Sequence, residues 1–297
     1  MGQELYMMAL TNTSTQLYVM KRMRLYLVLP ALILSLFSCK KDEVDYELRS
    51  SYFQNINTSA VYDTALTVMT WNIQCGFRAS LDPWNKYDIG GTSSHIDSLA
   101  RLIEASGADV VALQEVPFDR TNIVVKRLLD SLAHRLGMNY AFAAHGYNDA
   151  YESGYPVWGQ WGVAILSRYP IEEIDSREVS YLDVWTRRST LRAKLRLNAT
   201  KQVNVYSLHH KPMQDYSDLK KTAGFVHEST FPVIVCGDFN TGPQEPSTYL
   251  GLISSLPDSL TGIDLIFHSP EFSFINAQAG FGSRLSDHAA IWERLKY

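Results

Sequence analysis

The chain of 297 residues is 46% hydrophobic and 20% charged, a balance that supports a substantial buried core and excludes a disordered polar chain. Its formal net charge of −4 does not suit tight nucleic-acid binding through phosphate neutralisation, although a local basic rim would let it act on such a substrate. Cysteines at only 39, 75 and 236 exclude a zinc module built on paired thiolates.

The first elements read as an address. Residues 1–19 carry no Lys or Arg and precede the basic cluster Lys21, Arg22 and Arg24, so synthesis is expected to begin at Met20 or Met23. Leu25–Phe37 is apolar apart from Pro30 and Ser35, and it falls short of the ~20 residues of a membrane-spanning helix. It ends in Leu36-Phe37-Ser38-Cys39. Basic, apolar and small-residue regions follow in the order of a signal peptide, and the last four residues resemble the lipobox of bacterial lipoproteins. That likeness implies a signal peptide over 20–38, lipidation of Cys39, a membrane contact through the lipid, and a place in the cell envelope. A plain secretory signal or a short membrane anchor, with Cys39 incidental, is the alternative. Residues 39–64, opening with Lys40-Lys41-Asp42-Glu43 and lacking clear periodicity, read as a tether and linker.

From Ala65 to the C-terminus the pattern is that of one folded domain. Strands are expected at Leu66–Ile73 and Asp109–Leu113, with an amphipathic helix between them over His95–Ala105. A second helix is expected over Ile123–Leu136, stopped by Gly137. Strands follow at Tyr140–Ala144, Trp161–Ser167, Ile171–Ser180, Thr190–Leu197 and Gln202–His209. The segment Tyr147–Gln160 reads as a loop. Then come a helix over Tyr216–Glu228, a buried strand at Pro232–Gly237 and a short helix within Gln244–Ser255. Strands at Ile263–His268, Phe272–Ala277 and Ala289–Leu295 complete the series. So many strands exceed a single helix-flanked sheet. Two mixed sheets packed face to face with helices outside, an α/β sandwich, would accommodate them. An oxidising compartment would permit a bridge between Cys75 and Cys236, but both sit in apolar runs and are expected as free, buried thiols.

Polar residues stand where these apolar runs end. Asn72, Glu115, His209, Asp238 and Asn240 follow strands, Asp264 lies inside Ile263–Phe267, and Asp287-His288 precedes the last strand. Any one of them is ordinary turn or cap chemistry, except Asp264, because an acid flanked by apolar residues must be paired. Taken together, carboxylates without thiolates suit a hard cation such as Mg²⁺ or Mn²⁺. A histidine oriented by an acid suits base catalysis, and an amide and a second histidine can donate to a phosphate whose charge is growing.

The segments Thr70-Trp71-Asn72-Ile73, Leu113-Gln114-Glu115, Gly162–Arg168, Gly237-Asp238-Phe239-Asn240, Ile263-Asp264-Leu265-Ile266 and Ser286-Asp287-His288 resemble, in order, motifs of the endonuclease/exonuclease/phosphatase superfamily. The resemblance covers 66 to the C-terminus and implies a four-layer α/β sandwich. It makes Glu115 the principal metal carboxylate, with Asn72 beside it, and Asp287 a ligand to any second metal. It implies that His288, oriented by Asp264, is the base or a partner of the attacking water, and that Asp238 positions the nucleophile or is itself the base. His209 and Asn240 would bind phosphoryl oxygens, and Arg188 would touch phosphate. His210 replaces an apolar residue of the family pattern and is expected either behind the site residues or at the rim. Gln74 stands where some abasic-site enzymes have an acid, which weakens kinship with them.

The domain is thus expected to be a monomeric metal-dependent phosphoesterase, with a non-catalytic binding lipoprotein on the same fold, or a nuclease, as alternatives. Tyr140, Phe142, Tyr147, Tyr151, Tyr155, Trp158 and Trp161 crowd the stretch before and through the expected loop. Tyr155 and Trp158 are candidate stacking residues for substrate, the alternative being that these rings simply pack under the loop. With Asp149 and Glu152 nearby and no basic run, a compact ester or lipid headgroup is favoured over long nucleic acid.

Overall fold

The computed structural model describes residues 51–57, 64–83, 85, 87–118, 120, 122–147, 150–152, 155–157, 159–180, 187–212, 216–260, 262–280 and 284–297, without the side chains of 146–158 and 258. Cys39 and the expected signal peptide lie outside these residues.

The strands are β1 (Ser51–Gln54), β2 (Ala65–Asn72), β3 (Val110–Phe118), β4 (Asn139–Tyr147), β5 (Ala150–Glu152), β6 (Tyr155–Val157), β7 (Gln160–Ser167), β8 (Ile171–Ser180), β9 (Arg188–Arg196), β10 (Gln202–His209), β11 (Val233–Asp238), β12 (Asp264–His268), β13 (Ser273–Gly280) and β14 (Ala290–Lys296). The helices are α1 (Ser93–Ser106), α2 (Leu128–Leu136), α3 (Ser217–His227) and α4 (Gln244–Leu250). One sheet has the order β1-β4-β7-β3-β2-β14-β13 and the other β12-β11-β10-β9-β8. Each contains one parallel pair, β2 with β3 and β10 with β11, among antiparallel neighbours.

Three cores separate four layers. Ile96, Leu99 and Ile103 of α1 and Leu129, Leu132 and Leu136 of α2 pack on Met69, Val111 and Leu113 of the larger sheet. Residues of opposite parity on the same strands, such as Val68, Val110 and Ile165, meet Val205, Ile234 and Ile266 between the sheets. On the outer face of the smaller sheet, Tyr206, Val235 and Phe267 meet Leu219, Phe225 and Leu250 of α3 and α4. Strand alternation, with both faces covered, explains the continuous apolar runs.

Several expectations need correction. The expected linker contains β1, which pairs with β4 at the sheet edge. The chain beyond β1 is fastened by Asn139, whose Oδ1 accepts from the N–H groups of Ile56 at 2.8 Å and Asn57 at 2.7 Å. A four-residue, largely exposed strand at an edge is too short to show a period, so periodicity missed it. Helix α2 begins at Leu128 rather than Ile123, because the N–H groups of Val124 and Val125 donate to the carbonyls of Gly90 and Gly91. The expected loop Tyr147–Gln160 holds the hairpin β5–β6. Tyr140, Phe142 and Trp161, in strands where they were expected, are buried in the fold. Cys75 and Cys236 are free and buried, as expected.

Candidate active site

The parallel pairs end at the same edge of the sandwich, and there the sheets exchange hydrogen bonds. Asn72 closes β2 and is 1% exposed. Its Nδ2 donates to Glu115 Oε1 and to Asp238 Oδ2, each at 3.2 Å, and its Oδ1 accepts from the Gln74 N–H at 3.0 Å. One amide thus bridges a carboxylate from each sheet. Beneath it, Gln114 donates to Ser207 Oγ across the sandwich at 3.4 Å.

Backbone irregularities aim the acids. Glu115 has φ of 52° at a β-bulge where the register of β3 against β7 shifts between Leu113 and Val116. Asp238 follows Gly237, where a Cβ would lie 2.1 Å from the Leu208 carbonyl oxygen. Only glycine allows β11 to approach β10 so closely there, and this sets Asp238 opposite Asp264 in the β11–β12 register.

Asp238 is the centre of the group. Its Oδ2 lies 3.6 Å from His209 Nε2 and 3.9 Å from His288 Nε2. On its far side, the His288 ring donates from Nδ1 to Asp264 Oδ2 at 2.7 Å. The acid inside the apolar run is therefore paired, as its surroundings demanded. Ser286 completes the frame, because its Oγ donates to the Asn72 carbonyl at 2.6 Å and accepts from the His288 N–H at 3.1 Å. Asp287 is exposed at the mouth.

The electrostatics follow from this crowding. Burial, then the charge of Asp264, push Asp238 up to about 7. Burial would lower His288, but the hydrogen bond and charge of Asp264, with Asp238 and Asp287 behind them, carry it to about 9. Glu115 is raised, first by burial and then by Asp287. His209 is held well below its ordinary value, mainly by burial and by Arg188. His288 is thus the protonated ring and His209 the neutral one.

Arg188 sits at the start of β9 with its guanidinium 4.7 Å from the Trp161 ring. It influences the protonation of Glu115, His209 and His145, so the structure brings it to the carboxylate group. Asn240 is turned inward, with φ of 52°, its N–H donating to Asp238 Oδ1 at 2.9 Å and its Nδ2 to the His210 carbonyl at 2.7 Å. Of the two places expected for His210, it takes the one behind the site residues, its carbonyl accepting from Asn240. It is fully buried, with Nε2 2.8 Å from Thr222 Oγ1 and its ring against Phe239. Trp158, the Tyr155 side chain and Cys39 lie outside the description.

Sequence reasoning missed His145. Its ring lies 4.9 Å from Trp161 and 6.0 Å from His209, Nδ1 accepts from the Ser189 N–H at 2.8 Å, and Nε2 is buried without a partner. A histidine one residue past a predicted strand was the available signal, and nothing local set it apart from a turn.

A sequence model of the endonuclease/exonuclease/phosphatase family matches residues 69–288. The chain belongs to the endonuclease/exonuclease/phosphatase family. Members of this family are hydrolases of phosphate esters and generally use divalent metal ions. A curated relative, the uncharacterized protein YbhP of Escherichia coli K12, is 29% identical over 206 residues, covering 65% of this chain and 74% of its own. Among solved structures, a family member from Beutenbergia cavernae superposes with a TM-score of 0.60 at 20% identity, covering 79% of this chain and 72% of its own. Another, from Leptotrichia buccalis, gives 0.59 at 17% identity, covering 78% of this chain and 100% of its own. At these identities the superpositions speak for the fold alone.

The residues present fit the family's metal requirement. Asn72 and Glu115 offer hard oxygen donors without thiolate, and Asp238, Asp264 and His288 hold ligand atoms within 4.8 Å of one another. Burial raises both Glu115 and Asp238, with the charge of Asp287 adding to the first and that of Asp264 to the second, which is the penalty a divalent cation would remove.

Proposed function

We propose that the protein is an extracytoplasmic, Mg²⁺- or Mn²⁺-dependent phosphoesterase, held in the cell envelope by a lipid on Cys39, that attacks a compact phosphate ester with an activated water. The observation that carries this reading is the continuous chain Glu115–Asn72–Asp238–His288–Asp264. It assembles acids, an amide and a histidine from both sheets at one edge.

Glu115, with Asn72 beside it, would hold the ion, and Asp287, whose charge acts on Glu115, would serve a second. When bound, the ion polarises a phosphoryl oxygen and makes its bound water more acidic. The chain's own groups divide the remaining work. Asp238, buried and centred between His209 and His288, accepts the proton of the attacking water. His288 is kept cationic by Asp264 and donates from Nε2 toward the phosphoryl oxygens. His209 and Arg188 face the same space and offset the charge that develops in the transition state. Asn240 acts through its hold on Asp238 and His210, and reaches phosphate with what donor capacity remains. A net charge of −4 supports a small ester over long nucleic acid.

The test is hydrolysis of bis-p-nitrophenyl phosphate with Mg²⁺ or Mn²⁺, with and without chelator, followed by DNA, sphingomyelin and sugar phosphates. Cation-dependent turnover with preference for a compact ester is expected. Full activity in excess chelator would overturn the metal requirement, and preference for long DNA would overturn the substrate class.

A further inference from the structure

Arg188 is the first residue of β9, and it is partly exposed. The ladder between β9 and β10 stops at the pair Leu191–Ser207, so it does not hold the strand's first residues. There the Ser189 N–H donates to His145 Nδ1 at 2.8 Å, and Ser189 Oγ donates to the Ala144 carbonyl at 2.9 Å. Both bonds cross from the smaller sheet to β4 of the larger one, immediately beside Arg188.

Strand β4 is shaped for this contact. Ala141 and Ala143 face the core between the sheets, while Tyr140 and Phe142 face the helices. By the same alternation His145 comes to the inner face, at a bulge where the register of β4 against β7 shifts between Ala144 and Gly146. Its ring meets Trp161 edge to face, with centroids 4.9 Å apart, and Trp161 carries the Arg188 guanidinium over its own face at 4.7 Å. His209 touches both rings, at 6.0 Å from His145 and 5.8 Å from Trp161.

The choice of histidine is informative. A neutral ring whose Nδ1 accepts an N–H carries its proton on Nε2. That Nε2 is buried without a partner, which is unfavourable. An apolar side chain would avoid the unpaired donor but would leave the Ser189 N–H without its acceptor. Burial first, then Arg188 and His210, hold the ring well below its ordinary value, so it remains a neutral acceptor. Glu115 and Asp238 both act on the charge of Arg188, so its placement bears on the catalytic edge.

We infer that His145 is a positioning residue, which fixes Arg188 over the Trp161 ring by accepting the Ser189 N–H. Its consequence for catalysis rests on the phosphoesterase reading, in which Arg188 offsets the charge developing on phosphate. The clamp itself does not.

The experiment follows the Arg188 Nε–H resonance of the ¹⁵N-labelled full-length chain in detergent and chelator, identified by its loss in Arg188→Lys. An indole face shifts a proton above it upfield, so the wild-type signal should lie upfield of ordinary arginine Nε–H signals. It should stay there in His145→Asn, whose Oδ1 takes the place of Nδ1, and return toward them in His145→Leu. Ser189→Ala removes the Oγ bond alone and should move the signal the same way by less, which tests the clamp even where His145→Leu does not fold. A wild-type signal at the ordinary position, or one unmoved in the folded variants, would overturn the clamp. So would restoration by His145→Gln, whose amide reaches the Nε2 position, but not by His145→Asn. With bis-p-nitrophenyl phosphate and Mn²⁺, His145→Leu should lose roughly tenfold or more in kcat with little change in KM, and His145→Asn should keep most of it. Added to Arg188→Ala, His145→Leu should cost nothing further, and losses that multiply would overturn action through Arg188. A displaced Arg188 signal in a chain without turnover would uphold the clamp and sink the phosphoesterase reading alone.

Discussion

Replacing Asp264 by Asn tests the arrangement at its most constrained contact. Asp264 Oδ2 accepts from His288 Nδ1 at 2.7 Å, and both side chains are largely shielded from water. The ring's pKa rises from 6.5 to about 9 although burial alone would lower it. At about 1.4 kcal/mol per pH unit, the imidazolium is favoured by about 3 kcal/mol. Because the folded value is the higher one, this stabilisation is complete below pH 6.5 and is lost as the pH rises to about 9. Asn keeps the shape and an acceptor oxygen but removes the charge, so the His288 pKa should fall by roughly one to two units, with Asp238 and Asp287 retaining the rest. An NMR titration of the His288 ring in metal-free protein reads this directly. Urea unfolding at pH 6 and pH 9 should show the pH-linked stability shrinking in parallel. The variant should also lose at least ~10²-fold in turnover, since the cationic ring is no longer held in place. A His288 that still titrates near 9 in the variant would refute the assignment.

Three further outcomes are expected. Glu115→Gln should cut cation-dependent turnover by ~10²-fold or more while leaving the circular dichroism spectrum unchanged, and unchanged kinetics would remove Glu115 from the metal site. Glu293 is fully buried with both carboxyl oxygens unpaired, and burial raises it from 4.5 to about 8. Its folded form holds a proton that its unfolded form has shed, so it costs stability increasingly as the pH rises from 4.5 to about 8, up to about 5 kcal/mol. Glu293→Gln should therefore flatten the fall in urea midpoint between pH 5 and 8.5, and an unaltered pH dependence would contradict this. Expressed from Met20, the chain should fractionate with membranes and take up a lipid label, and Cys39→Ser should abolish the labelling. A soluble, unlabelled wild type would rule out the anchor.

The sequence by itself determined where chemistry could occur. Strands covered on both faces must be apolar throughout, so Asn72, Glu115, His209 and Asp238 stood out as polar residues that end such runs. Asp264, flanked by apolar residues, announced a buried partner before that partner was known. Short-range rules also located the helix stop at Gly137 and the free thiols. What only the tertiary structure decided was which of these residues meet. Asn72 and Asp238 are 166 positions apart and touch because two sheets stack with their parallel pairs ending at one edge, a relation no local period encodes. His145 joined the neighbourhood of the site, and the His210 ring turned into the core behind Asn240, for the same reason. The parity of β14 is set by its pairing with β2 and β13, and it turned Glu293, which reads as an ordinary surface acid between Trp292 and Arg294, into a buried one. The edge strand β1 needed β4 as a template, since four residues bury too little to declare themselves in advance.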